Sequence, residues 1–126
     1  MTPEHTRQAR ALLGDGVLIA PEQHAVLDSD LVRARGLART ALSRHLTLSN
    51  YTANWRRLGF ADEDLTGAGS DRLVDGLVAM GDAQRVGARI REHLDAGADH
   101  VCIQILVPDG ADLLPLFAEL ATVLLD

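Results

Sequence analysis

Three short apolar runs, Gln23 to Asp28, Leu77 to Met80 and His100 to Val107, are each followed by a stretch patterned as an amphipathic helix. None of the runs is long enough to be a helix, and Val101, Ile103 and Ile105 are β-branched, the residues that suit a pleated strand. Strands that alternate with helices make βαβ units and a parallel sheet, with right-handed crossovers. The fold class expected is α/β, with about three parallel strands and crossover helices.

The helix signals fill in the rest. Thr2 is a good N-cap, Pro3 suits the first helical position, and Glu4 complements the helix dipole, so a helix is expected from Pro3 to Leu13. Helical spacing gathers its Ala9, Leu12 and Leu13 on one side, and Gly14 and Gly16 end it. Val17 to Ala20 reads as a strand-like lead-in closed by Pro21. Ser29 or Asp30 would cap a helix from Leu31 to about Leu46, with Leu31, Ala34, Ala38, Ala41 and Leu42 on one face. Its Arg33, Arg35, Arg39 and Arg44 read most simply as a solvated outer face. A helix from Tyr51 to Leu58 stops at Gly59, Ala61 to Ser70 reads as loop, and Asp71 to Gly76 as a helical turn. Asp82 would cap a helix from Ala83 to Ala96 that buries Val86, Ile90 and Leu94 as one stripe. A last helix is expected from Asp112 or Leu113 to Leu125.

At 126 residues the chain is one domain, and a net charge of −6 without a basic cluster disfavours nucleic acid as a partner. No apolar stretch reaches the roughly 20 residues a membrane helix needs, and no signal peptide is visible, so the expected location is cytoplasmic, with no membrane partner. The single Cys102 cannot form an internal disulfide and, inside an apolar run, reads as a small buried hydrophobe. The five histidines show no metal-ligand spacing, so no metal is expected.

Three parallel strands are an awkward number. Parallel strands need both faces covered, and a three-stranded sheet leaves two open edges. Missing partners are implied: further strands of a longer protein, or a second copy in a homodimer.

A set of blocks in fixed order supplies a resemblance. They are Thr2-Pro3-Glu4-His5-Thr6 with Leu13-Gly14, Ala20-Pro21-Glu22-Gln23, Asn50-Tyr51 with Leu58-Gly59-Phe60, Gly69-Ser70-Asp71-Arg72-Leu73-Val74-Asp75, and His93-Leu94-Asp95-Ala96-Gly97-Ala98-Asp99-His100-Val101-Cys102-Ile103-Gln104. Together they resemble the C-terminal portion of luciferase-like oxidoreductases that use the deazaflavin coenzyme F420. The resemblance implies the C-terminal part of a (β/α)8 TIM barrel, in which the three runs would be strands six, seven and eight. It implies hydride transfer between deazaflavin and a small organic substrate. A relative using flavin mononucleotide (FMN) would share the fold. The family's cofactor-holding residues come mostly from earlier strands, so none is expected within this segment, and the chain alone is expected to be inactive.

Barrel chemistry sits at the C-terminal ends of the strands, here near Asp28, near Met80 to Asp82, and from Gln104 to Val107. Gln104 is the one strongly polar side chain within its run and faces either an internal network or a substrate. Asn50, Tyr51 and Trp55 lie on a long insertion where barrels place pocket lids, although helix packing accounts for the aromatics more simply. Asp28 reads as a helix-start carboxylate or a pocket wall. The substrate-pocket candidates are thus Gln104, Asn50, Tyr51 and Asp28, with the catalytic residues open. A non-catalytic α/β module that dimerises is the reading from another class.

Overall fold

The computed structural model describes residues 1–125. It contains strands β1 (Glu22–Leu27), β2 (Val78–Gly81) and β3 (Cys102–Ile105) and helices α1 (Pro3–Leu13), α2 (Leu31–Leu42), α3 (Ser49–Arg57), α4 (Asp71–Leu77), α5 (Ala83–Asp95) and α6 (Leu114–Leu124). Short 3-10 turns occupy His45–Thr47 and Asp62–Leu65.

Local chemistry sets most boundaries. Thr2 Oγ1 accepts from the His5 amide (3.2 Å), Asp30 from Val32 and Arg33, Ser70 from Leu73, and Asp82 from Arg85. Of the two caps expected for α2, Asp30 is the one used. That helix stops at Leu42, short of the Leu46 expected, and a 3-10 turn follows. Val17 to Ala20 forms no strand; it is tied down instead by Asp99, whose carboxylate accepts from the Ile19 amide at 2.8 Å.

The sheet is wholly parallel, and its order is β2-β1-β3. Val26, Val78 and Met80 face α2, α3 and α4, with Ala34, Ala38, Leu42, Trp55, Leu73 and Val74 closing that core. Ala25 and Ala79 face the other way, against Ala83 and Val86 of α5 and Leu120 of α6. The chain steps from β1 to β2 with its helices on one face, then back past β1 to β3 with α5 on the opposite face. The two crossovers therefore have the same hand, as parallel connections require. The architecture is a doubly wound three-layer sandwich.

This order differs from that of consecutive strands in a barrel, where β2 would lie between β1 and β3 and all helices would form one outer ring. The physical reason is the open edge of β1. A strand enclosed on both faces cannot leave its N–H and C=O groups unpaired, and β3 satisfies them. As an edge, β3 is shorter than the run His100 to Val107 and only Ile105 in it is buried.

Burial corrects three further expectations. Cys102 is exposed on that edge. In α5 the stripe is Val86, Ile90 and His93, whereas Leu94 is 45% exposed. In α1 the buried residue is Thr6, and Leu12 and Leu13 face solvent. One polar network explains both helices: fully buried His93 bonds Thr6 Oγ1 through Nδ1 and Gln23 Oε1 through Nε2, each at 2.8 Å, and Gln23 Nε2 donates to the carbonyls of His24 and Leu77. A buried imidazole and amide demand such partners, and this need outweighs the transfer of one leucine from water.

Candidate functional site

Two concavities lie on the face of the sheet that α2 covers. The first opens at the carboxyl ends of β1 and β3. It has a volume of about 510 Å³, and its walls include Val26, Leu27, Leu37, Leu106, Pro108 and Leu116. The polar groups on it are Asp28 and Arg33, which form a two-pronged pair: Arg33 Nε to Asp28 Oδ2 at 2.8 Å and Nη2 to Oδ1 at 2.9 Å. The Asp30 amide also donates to Asp28 (2.8 Å), and these bonds hold the Asp28 carboxyl below the usual carboxylate range. Asp28 is therefore not the cap of α2 but a carboxylate locked against the arginine one turn into it. The crevice lies where β1 sends the chain one way and β3 flanks it on the other side, the switch point at which open α/β sheets bind ligands.

The second cavity, about 370 Å³, lies between α2 and α3 and the opposite halves of β1 and β3, lined by Glu22, His24, His45, Tyr51, Trp55 and Gln104 among others. His24 Nε2 stands 3.0 Å from Glu22 Oε1 and 3.1 Å from Gln104 Oε1. Both neighbours are acceptors, so Nε2 carries a proton shared between them. His45 Nδ1 donates to the Ala41 carbonyl (3.2 Å). The rings stack in series: His24 to His45 at 6.2 Å, His45 to Tyr51 edge-on at 4.6 Å, and Tyr51 to Trp55 at 6.0 Å.

The four candidates named from sequence thus separate. Gln104 and Tyr51 share the second cavity, Asp28 lines the crevice, and Asn50 is exposed and lines neither. His24, Glu22, His45 and Arg33 were not singled out for a pocket. The signal that was available is the two-residue period of β1, which sets Glu22, His24, Val26 and Asp28 on one face. The arginines of α2 are also less free than a solvated face implies. Arg35 makes a two-pronged pair with Asp75 (2.9 and 2.8 Å), and Arg39 pairs with Asp71, so both tie α2 to α4.

A phosphate-bearing cofactor does not fit the strand ends. Each helix that follows a strand begins with an aspartate accepting its first amides: Asp30 for α2, Asp82 for α5 and Asp112 for α6. One or two first-turn N–H groups of each helix are thereby engaged, and the local charge has the wrong sign for phosphate. The crevice's one guanidinium, on Arg33, is already paired with Asp28. Among the described residues no group of three or more His, Cys, Asp or Glu side chains is placed to hold a metal ion, and no helix is long and apolar enough to cross a membrane.

Compared with protein-family models, with curated proteins and with solved structures, the chain finds no match.

Proposed function

We propose that this chain is the C-terminal segment of a luciferase-like oxidoreductase that uses coenzyme F420, and that its share of the work is to bind the small organic substrate. The ordered sequence blocks support the family. The observation that carries the role is the crevice at the carboxyl ends of β1 and β3: apolar walls with one charged pair, at the end of the strands where both barrels and doubly wound sheets bind ligands. When bound, the deazaflavin would supply or accept the hydride. Residues of this chain would exclude water from the substrate and orient its polar group against Asp28 and Arg33. The cofactor itself would be held by preceding parts of the complete protein. Large apolar side chains left on the surface support a larger whole, Leu12 at 85%, Leu18 at 74% and Leu114 at 76% exposure among them.

The test extends the reading frame upstream and titrates F420 and FMN into the extended and 126-residue proteins, following cofactor fluorescence. The reading requires that the extended protein bind F420 and reduce or oxidise it with a substrate, and that Leu37→Trp, which fills the crevice, raise the KM for that substrate. Binding of FMN in place of F420 moves the protein to the related cofactor class. No upstream barrel half, or tight F420 binding by the 126-residue chain, removes the proposal.

The strand order favours a second reading. A sheet covered on both faces with β1 paired on both edges is self-contained, as expected of a non-catalytic α/β module whose outer edges of β2 and β3 could meet a second copy.

A further inference from the structure

We propose that the turn between β3 and α6 is a site of spontaneous covalent modification, at which Asp109 converts to isoaspartate. This inference holds whether or not the crevice takes a substrate, because it follows from the chemistry of an Asp-Gly pair and from how the fold restrains each such pair.

The step needs only the chain and water. The Gly110 main-chain nitrogen attacks Cγ of the Asp109 side chain in its carboxylic acid form. The N–Cγ bond forms, the Cγ–OH bond breaks, and the amide proton leaves with the hydroxyl as water. The product is a five-membered imide. Water then reopens it. Cleavage at Cγ restores aspartate, whereas cleavage at the main-chain carbonyl carbon leaves isoaspartate, with the former Cβ now in the backbone and a free carboxylate on Cα. A glycine after the aspartate favours closure, since no side chain shields the attacking nitrogen.

Three Asp-Gly pairs occur in the chain, and the fold treats them differently. Asp75-Gly76 is protected. Both residues lie in α4, where the Gly76 amide is committed to the helix, and Arg35 grips the Asp75 carboxylate with two bonds (2.9 and 2.8 Å). Asp15-Gly16 is held from outside: Arg10 Nη1 donates to the carbonyls on either side of the pair, those of Gly14 (2.7 Å) and Val17 (3.0 Å). Asp109-Gly110 is the least restrained. Both residues are exposed, and among the described residues no acceptor takes the Gly110 amide and no donor holds the Asp109 carboxylate. The turn is closed by the Ala111 amide, which donates to the Pro108 carbonyl (3.1 Å). Pro108 and Ala111 line the crevice, and Asp112, next along, accepts from the Leu114 amide at 3.0 Å where α6 begins. An atom added to the backbone at Asp109 therefore alters the crevice rim and the entry to α6.

The test ages the purified protein near neutral pH, both folded and in guanidinium chloride, and digests it. Mass spectrometry separates aspartyl from isoaspartyl peptides at each of the three pairs, and methyl transfer from S-adenosylmethionine by an isoaspartyl methyltransferase counts the total. In denaturant the three pairs are expected to react at similar rates. In the folded protein Asp109 is expected to be the fastest, at least about tenfold ahead of Asp75, whose helix must open first. Asp109→Glu, whose imide would need a six-membered ring, is expected to remove the signal at that turn and leave the other two unchanged. A smaller lead over Asp75, isoaspartate forming faster at Asp15 than at Asp109, or none at Asp109 overturns the proposal on the unmodified protein alone.

Discussion

His93 Nε2 and Gln23 Oε1 stand 2.8 Å apart, 70 residues separated in sequence, with both side chains fully enclosed. The imidazole is neutral there. Burial is the main cause that lowers its pKa from the ordinary 6.5 to about 4, and the nearby Met1 amino group and Arg89 add repulsion.

This arrangement makes stability depend on pH. Unfolding returns the ring to its ordinary pKa, so between pH 6.5 and about 4 the unfolded chain takes up a proton that the folded chain refuses. The contribution is complete above pH 6.5 and falls by about 3 kcal/mol as pH drops through that window. Asp64 and Asp99, held below the usual carboxylate range by hydrogen bonds, extend the loss to lower pH. Urea unfolding at a series of pH values, with the His93 ring followed by NMR, measures both; a ring that titrates near 6.5 in the folded protein contradicts the assignment.

Two glycines should respond to alanine in opposite senses. A methyl on Gly87 would come within 2.7 Å of Val123 Cγ1, where α6 lies on α5, so Gly87→Ala is expected to cost about 1–3 kcal/mol and lower Tm. At Gly36, within α2, nothing lies within 4 Å of the added atom, and Gly36→Ala is expected to stabilise by about 0.5–1 kcal/mol. Thermal melts of the two variants decide this, and a common sign would refute the packing of α6.

Strand order can be read with one added thiol. Glu22 and Cys102 are register partners on neighbouring strands, and Cys102 is the only cysteine. Adjacent strands run about 4.8 Å apart, within the span a disulfide bridges. Oxidised Glu22→Cys protein should therefore lose both free thiols without dimerising. If β2 lay between β1 and β3, as in a barrel, both thiols would persist.

What the sequence made visible was local. Strand and helix positions follow from periodicity and from caps such as Thr2 and Asp82, which act within a few residues. Strand order was not visible, because it depends on which edge of β1 lacks a partner, a property of the whole sheet. The burial errors share one cause. Leu94 and Leu12 are apolar enough for a core, yet His93 and Thr6 take those places because the Gln23 amide opposite them must be satisfied. Of the pocket candidates, Gln104 and Tyr51 were found through their chemistry and do share a cavity, whereas His24 was overlooked because only pairing with β3 brings it to Gln104.

The central place of β1 also bears on how the chain folds. Its contacts lie far along the polypeptide: Gln23 bonds Leu77, 54 residues on, and His24 bonds Gln104, 80 residues on. Both ladders close large loops, the kind of long-range pairing that slows folding. During synthesis β1 keeps one edge open after β2 has paired with the other, until β3 emerges, and an unpaired edge of this kind favours misassembly.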